Sequence, residues 1–309
     1  VAGTKEYVRR RTSKPRSIGE DAELSLPTSQ IPGRVACDGH PASAKMSVPS
    51  EFEIVLNAPI GPQRLRDNTI VIDEDGWYRT LTPSSSWPAS NEVLFSNLNE
   101  RDPDGEIDAI VSEYHRLGLP LTWCVYPWTQ PGDLGERLRA RGATQSVIQA
   151  FLGSTALALE VVDGVEIEQI DPESKEAYEA YINIMVSCYS LPADEEAFRH
   201  RRYHQLSTGS APRMRLFIGR YEGAAVGCAA MIIKENSAHF TGDCILPAFQ
   251  ARGIFQSLIA ARLQVLRDMG IAMATGHSNE QSAFWAKRFG FKSIYTYNIY
   301  QLDPPATVG

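Results

Sequence analysis

The chain has 309 residues, 43% of them hydrophobic and 22% charged, with a formal net charge of −7. This is the composition of a globular protein with room for two domains, and its acidic balance excludes an overall basic field for holding nucleic acid. No run reaches the ~18 consecutive apolar residues of a membrane helix, no secretory apolar region is present, and the five cysteines (37, 124, 188, 228 and 244) show no metal-type spacing; they read as reduced thiols of a cytoplasmic protein that binds no metal and no membrane.

Residues 1–48 are basic around Arg9-Arg10-Arg11 and then rich in Ser, Pro and Gly, which reads as a tail. Strands and helices then alternate. A strand over Thr69–Asp73 ends at Asp75-Gly76, and Asn91–Asn97 forms another. The helix Glu106–Leu117 is closed by Gly118, the strand Leu121–Val125 is stopped by Pro127, the helix Asp133–Arg141 precedes Gly142, and Val147–Leu159 is strand. Two helices follow, Ser174–Cys188 and Asp194–Leu206, with Asp194 as N-cap. Arg215–Tyr221 and Ala224–Lys234 read as a hairpin about Glu222-Gly223, followed by a strand over His239–Ile245. A helix runs from Ile254 to Met269 and is ended by Gly270; then come the strand Ile271–Thr275, the helix Gln281–Phe289 and the strand Ser293–Leu302.

The order repeats. Leu117–Trp123 lies over Met269–Thr275, and Leu138–Ala143 lies over Ala286–Phe291, so each half carries a strand–helix–strand–helix–strand unit. The halves differ at the turn that opens the first helix. Gln250-Ala251-Arg252-Gly253 feeds the N-terminus of the helix beginning Ile254-Phe255-Gln256, where unpaired N–H groups and the helix dipole favour phosphate oxygens. The matching stretch of the first half, Asn99–Gly105, is acidic and would repel phosphate.

This order of elements and the turn Gln250-Ala-Arg-Gly253-Ile-Phe255 resemble the GNAT acyltransferase superfamily over residues 165–302. The strand end Ile245-Leu246, Asn279 after the next strand, and Gly290-Phe291 after the following helix also fit. The resemblance implies an α/β (α+β) fold of two GNAT-like mixed-sheet domains packed together. Residues 49–160 would be a degenerate copy and 161–305 the acyl-CoA-binding domain. It implies acetyl-CoA held by Ile245, Leu246, Gln250, Ala251, Arg252, Gly253, Ile254, Phe255, Gln256, Asn279 and Ser282, with transfer of an acetyl group to an amine. Two positions depart from the pattern: Phe255 replaces a small residue and would have to pack into the core, and Ala286 stands where many relatives have a general-acid Tyr.

The proton chemistry has three candidates. Asp243 and Thr241 alternate with His239 along one strand, so all would share a face. Asp243 would be a base with a raised pKa, or a strand-end cap. His277, in a loop hinged at Gly276, would be an acid or base near neutral pH, or a histidine bonded to backbone. The pair Thr241 and His277 also resembles GNAT-like decarboxylases that act on malonyl-CoA and load an acyl carrier protein, with Trp123 or Trp128 matching their Trp. A non-catalytic acyl-CoA-binding protein is a further reading. Arg199-His-Arg-Arg202 reads as a solvated helix face or a receiver of an acidic substrate, Trp285 and Trp123 as core or as stacking on substrate, and Pro127–Pro131 as a cover over the junction between the halves.

Overall fold

The computed structural model describes residues 49–305; the tail expected over 1–48 lies outside the described residues. The described chain opens on a short helix, α1 (Glu51–Leu56), fixed by a capping box in which Ser50 and Glu53 satisfy each other's backbone N–H. Then come β1 (Ile70–Glu74), β2 (Trp77–Leu81), β3 (Glu92–Phe95), α2 (Pro103–Arg116), β4 (Leu121–Val125), α3 (Leu134–Ala140) and β5 (Thr144–Ser154). The remainder is β6 (Val165–Gln169), α4 (Lys175–Tyr189), α5 (Ala193–Ser207), β7 (Met214–Tyr221), β8 (Ala224–Ile233), β9 (Ser237–Ile245), α6 (Ile254–Asp268), β10 (Met273–Ser278), α7 (Glu280–Arg288) and β11 (Lys292–Leu302).

All the strands join one mixed sheet in the order β1-β2-β3-β4-β11-β5-β10-β9-β8-β7-β6. About the central β11–β5 pair the order reads alike in both directions. On one side β4 is antiparallel to β11 and parallel to β3. On the other β10 is antiparallel to β5 and parallel to β9. The elements sit at matching offsets as well, with β4 against β10 and β5 against β11. Two separate packed domains were expected; the structure instead has one continuous sheet. The reason is strand placement: β5 lies between β10 and β11, and β11 between β4 and β5, so each segment's last strand saturates the edge of the other.

Alternate residues of the central strands face opposite layers. Phe151 enters the core under α6 and α7, while Ala150 and Leu152 meet Val55 and Leu56 of α1. Phe217, Ala229 and Met231 likewise meet α6, whereas Ile218, Cys228 and Ala230 meet α4 and α5. Three elements escaped the sequence reading: α1, one and a half turns long, and β2 and β6, both short. Pro192, with no side-chain cap, precedes α5 in place of the expected Asp194 N-cap. Asp194 instead pairs with Arg66, because the segment after α1 packs across α5.

Candidate functional site

The turn before α6 is built by backbone conformation. Ala251 and Gly253 both take positive φ, 61° and 80°, a conformation costly for a residue with a Cβ and free for glycine. A Cβ on Gly253 would lie 2.7 Å from the Val162 side chain. Gly253 caps α6 without any side-chain hydrogen bond, so the first-turn N–H groups are left for an outside acceptor. Arg252 is exposed over the Tyr221 and Phe249 rings, at 4.9 and 5.9 Å.

The corresponding turn of the first half is closed from within. Asp102 accepts from the Gly105 N–H, Glu106 from the Asn99 N–H, and Asn99 from the Arg101 N–H. Arg137 of α3 and Arg141 at its C-cap clamp Asp104, and Arg141 also holds Asp108, which binds the end of α3 to α2. No such ion pairs join α6 to α7 among the described residues. Phe255 crosses to α7 instead, its ring centroid 6.0 Å from Phe289.

Next to the α6 turn the sheet opens. β9 and β10 pair in parallel only from Ser237 with Met273 to Phe240 with Gly276. Beyond that point β9 continues to Ile245 while β10 is paired with β5, so the β9 edge over Thr241–Ile245 has no partner strand on that side. The β8–β9 register also slips here, between Cys228 and Ala230, and Gly242 takes φ 67°. Such a bulge re-aims backbone groups. Two buried polar atoms near the opening lack partners, Tyr181 Oη and Ser278 Oγ.

The predicted acid–base residues do not form one face. The bulge breaks the alternation of Asp243, Thr241 and His239. Asp243 turns to Arg262, a fully buried arginine in the apolar stripe of α6, which binds both carboxylate oxygens and donates to the carbonyls of Ala230 and Leu258. Burial pushes the Asp243 carboxyl up, against the opposing pull of Arg262. His277 lies within β10, not in a hinged loop, and Gly276 is a strand residue paired with Phe151. Its Nε2–H donates to the Val55 carbonyl at 3.0 Å, and its Nδ1 accepts from Tyr297 Oη at 3.1 Å. Burial lowers it to about 4, so a neutral imidazole holds at physiological pH. His239, bonded to Thr275 Oγ1 at 3.2 Å, is also held neutral by burial.

The predicted cofactor residues divide. Gln250, Ala251, Arg252 and Gly253 gather at the turn. Ile254 is buried beneath Gly219 and Gly227, so only its backbone is offered. Ile245 packs on the α6 core and Leu246 on the α4 core, its N–H bonded to Val226. The Gln256 amide turns to the Glu160 carbonyl. Asn279 caps α7 by accepting from the Ser282 N–H. Arg199 and Arg202 are not a solvated face: Arg199 binds the buried Glu195, and Arg202 donates to the Leu65 carbonyl. Trp123 is buried, as expected, whereas Trp285 is 40% exposed. Pro127, Thr129 and Gln130 line a cavity of about 300 Å³ with Thr296, Asn298 and Tyr300 of β11.

The sequence reading missed Arg262 and Tyr189, whose hydroxyl donates to the Asp243 carbonyl at 3.0 Å. Arg262 had a signal: it interrupts the stripe Ile254, Leu258, Leu266 at helical spacing. Tyr189 had none, because only the packing of α4 brings it to β9.

Solved structures with the same fold are known. The chain aligns with a conserved protein of unknown function from Staphylococcus epidermidis (TM-score 0.61, 14% identity, 80% of this chain and 99% of that one). A GCN5-related N-acetyltransferase from Kribbella flavida gives a TM-score of 0.57 at 15% identity, over 82% and 96%. A tandem GNAT protein from the clavulanic acid biosynthesis pathway gives 0.51 at 15% identity, over 80% and 89%. At these identities the likeness is one of fold. No sequence among the curated proteins matches. No helix of the described residues is long and apolar enough to cross a membrane, and no cluster of metal-ligating side chains is present among them. Residues 178–291, which contain the open strand edge and the α6 turn, match the model of the acetyltransferase (GNAT) family.

Proposed function

We propose that this chain is an acyl-CoA-dependent N-acetyltransferase with one acetyl-CoA site, in the opening between β9 and β10. The observation that carries the reading is the Gly253 cap: a helix N-terminus that no side chain caps by a hydrogen bond, beside a strand edge with no partner strand. The N–H groups of the α6 turn, with Arg252, hold the pyrophosphate. The β9 edge from Thr241 to Ile245 lies along the pantetheine arm, and an N–H at the bulge polarises the thioester carbonyl; one such donor is worth roughly 10²–10³ in rate. Acetyl-CoA supplies the acetyl group to an acceptor amine.

In this reading residues 49–160 are a degenerate GNAT copy and 161–305 the working one. The closed, acidic turn at Asp102–Glu106 supports the assignment. The Thr241–His277 decarboxylase reading is not favoured, because both ring nitrogens of His277 are engaged.

Calorimetry with acetyl-CoA and a thiol-release assay over an amine panel test the proposal. One acetyl-CoA per chain with amine-dependent thiol release is expected. Binding without turnover of any amine would make the chain a non-catalytic acyl-CoA binder, and malonyl-CoA turnover with release of CO₂ would select the decarboxylase.

A further inference from the structure

Cys228 of β8 and Cys244 of β9 are direct cross-strand partners. Their Sγ atoms lie 3.2 Å apart. A disulfide needs an S–S distance of about 2.05 Å and Cβ atoms within ~4.5 Å, so a shift of about 1 Å would close one. The neighbouring bulge is where the backbone has slack for it, since the register already slips there. A third thiol, Cys188 of α4, touches Cys244 and is half-buried. The Cys228 contact and burial push the Cys244 thiol up, and burial raises Cys188 to about 12. All described cysteines are free.

We propose that Cys228 and Cys244 are an oxidation site, closing to a disulfide between β8 and β9 when the protein meets a hydroperoxide. Cys244, the partly buried member of the pair, first loses its proton; its thiolate attacks hydrogen peroxide, the S–O bond forming as the O–O bond breaks, and the departing hydroxide takes up that proton, giving a sulfenic acid and one water. Because the Cys228 contact and burial push the Cys244 thiol up, the reaction runs faster at alkaline pH. The Cys228 sulfur then attacks Cys244; the S–S bond forms, the S–O bond breaks, and hydroxide leaves with the Cys228 proton as a second water. Two thiols lose two hydrogens, and one peroxide becomes two waters. The protons lost matter to the fold. The Cys228 thiol donates to the Gly242 carbonyl at 3.8 Å and the Cys244 thiol to the Ile184 carbonyl at 3.9 Å. Both contacts vanish on oxidation, and the bulge between them is re-set. This last consequence rests on the acetyl-CoA reading above: oxidised protein binds acetyl-CoA at least 5-fold more weakly, recovering in dithiothreitol.

The test is peptide mapping of the full chain after hydrogen peroxide, with remaining thiols alkylated before digestion. A Cys228–Cys244 linked pair is expected, cleaved by dithiothreitol, with Cys188 recovered as a free thiol. Cys188→Ser keeps the link, while Cys228→Ala and Cys244→Ala each lose it. A Cys188–Cys244 link, or sulfinic acid on Cys244 with no crosslink, overturns the assignment; so does full recovery of all thiols. The linked peptide, its cleavage by dithiothreitol and the thiol recovery are read on the native chain, so the assignment stands or falls even if a variant fails to fold. Calorimetry on the two forms separates the remaining parts: a crosslink with unchanged acetyl-CoA affinity overturns the coupling, and a crosslink in a chain that binds no acetyl-CoA in either form overturns the cofactor reading while upholding the oxidation site.

Discussion

Replacing Arg262 by methionine separates a structural Asp243 from a catalytic one. Arg262 is fully buried, lies 4.1 Å over the Phe240 ring and binds both oxygens of Asp243. Methionine refills most of the stem volume but removes the cation. Asp243, with a side chain only 21% exposed, then stays charged at a cost of several kcal/mol or takes up a proton. From its ordinary value of 3.8, protonation costs about 4 kcal/mol at pH 7 and about 2 kcal/mol at pH 5.5. The folded variant binds a proton the unfolded chain lacks, so its stability falls as pH rises above 3.8. Urea unfolding of wild type and Arg262→Met at both pH values measures this. A loss near 4 kcal/mol at pH 7, roughly halved at pH 5.5, is expected. A loss below about 1 kcal/mol, or one equal at the two pH values, would refute a buried ion pair. Asp243→Asn completes the comparison. If that variant keeps its stability and loses only turnover, Asp243 is a base after all.

Further outcomes follow from the same geometry. Gly253→Asp places a carboxylate and a Cβ where Val162 and the turn leave no room; calorimetry should find acetyl-CoA binding abolished, and unchanged affinity would remove the site assignment. Asp102→Ala removes the N-cap of α2 at a cost of about 1 kcal/mol in denaturation, with acetyl-CoA stoichiometry still one per chain. His277, ordinarily near 6.5 and lowered to about 4 by burial, contributes stability that is full above pH 6.5 and falls by about 3 kcal/mol as pH drops to 4, because the unfolded state binds the proton first. Proton-coupled nitrogen NMR should show a neutral ring with its proton on Nε2, and the pH–rate profile no histidine inflection between about 6 and 8; a charged ring at pH 6 would contradict the buried geometry.

Periodicity and turn residues made most elements legible. The offsets between β4 and β10, and between β5 and β11, were present in the repeat of Leu117–Trp123 and Leu138–Ala143. The Gly253 turn was also legible, since a glycine between a strand end and an amphipathic stripe is a local signal. Short elements were not, because α1 spans too few residues for a helical period to show. Nor was the fate of the acid–base candidates. Alternation along Thr241 to Asp243 assumes a regular strand, and the bulge at Gly242 is set by pairing with β8.

Local sequence therefore determined where the chain makes strands, helices and the glycine turn before α6, because those depend on residues a few positions apart. Tertiary structure alone decided that the two segments exchange their last strands, that Arg262 takes Asp243, and that the Val55 carbonyl and Tyr297 take both nitrogens of His277. Each joins groups from 19 to 222 positions apart, and the partner of a buried charge or ring nitrogen is fixed by which elements pack together, a choice no local period encodes.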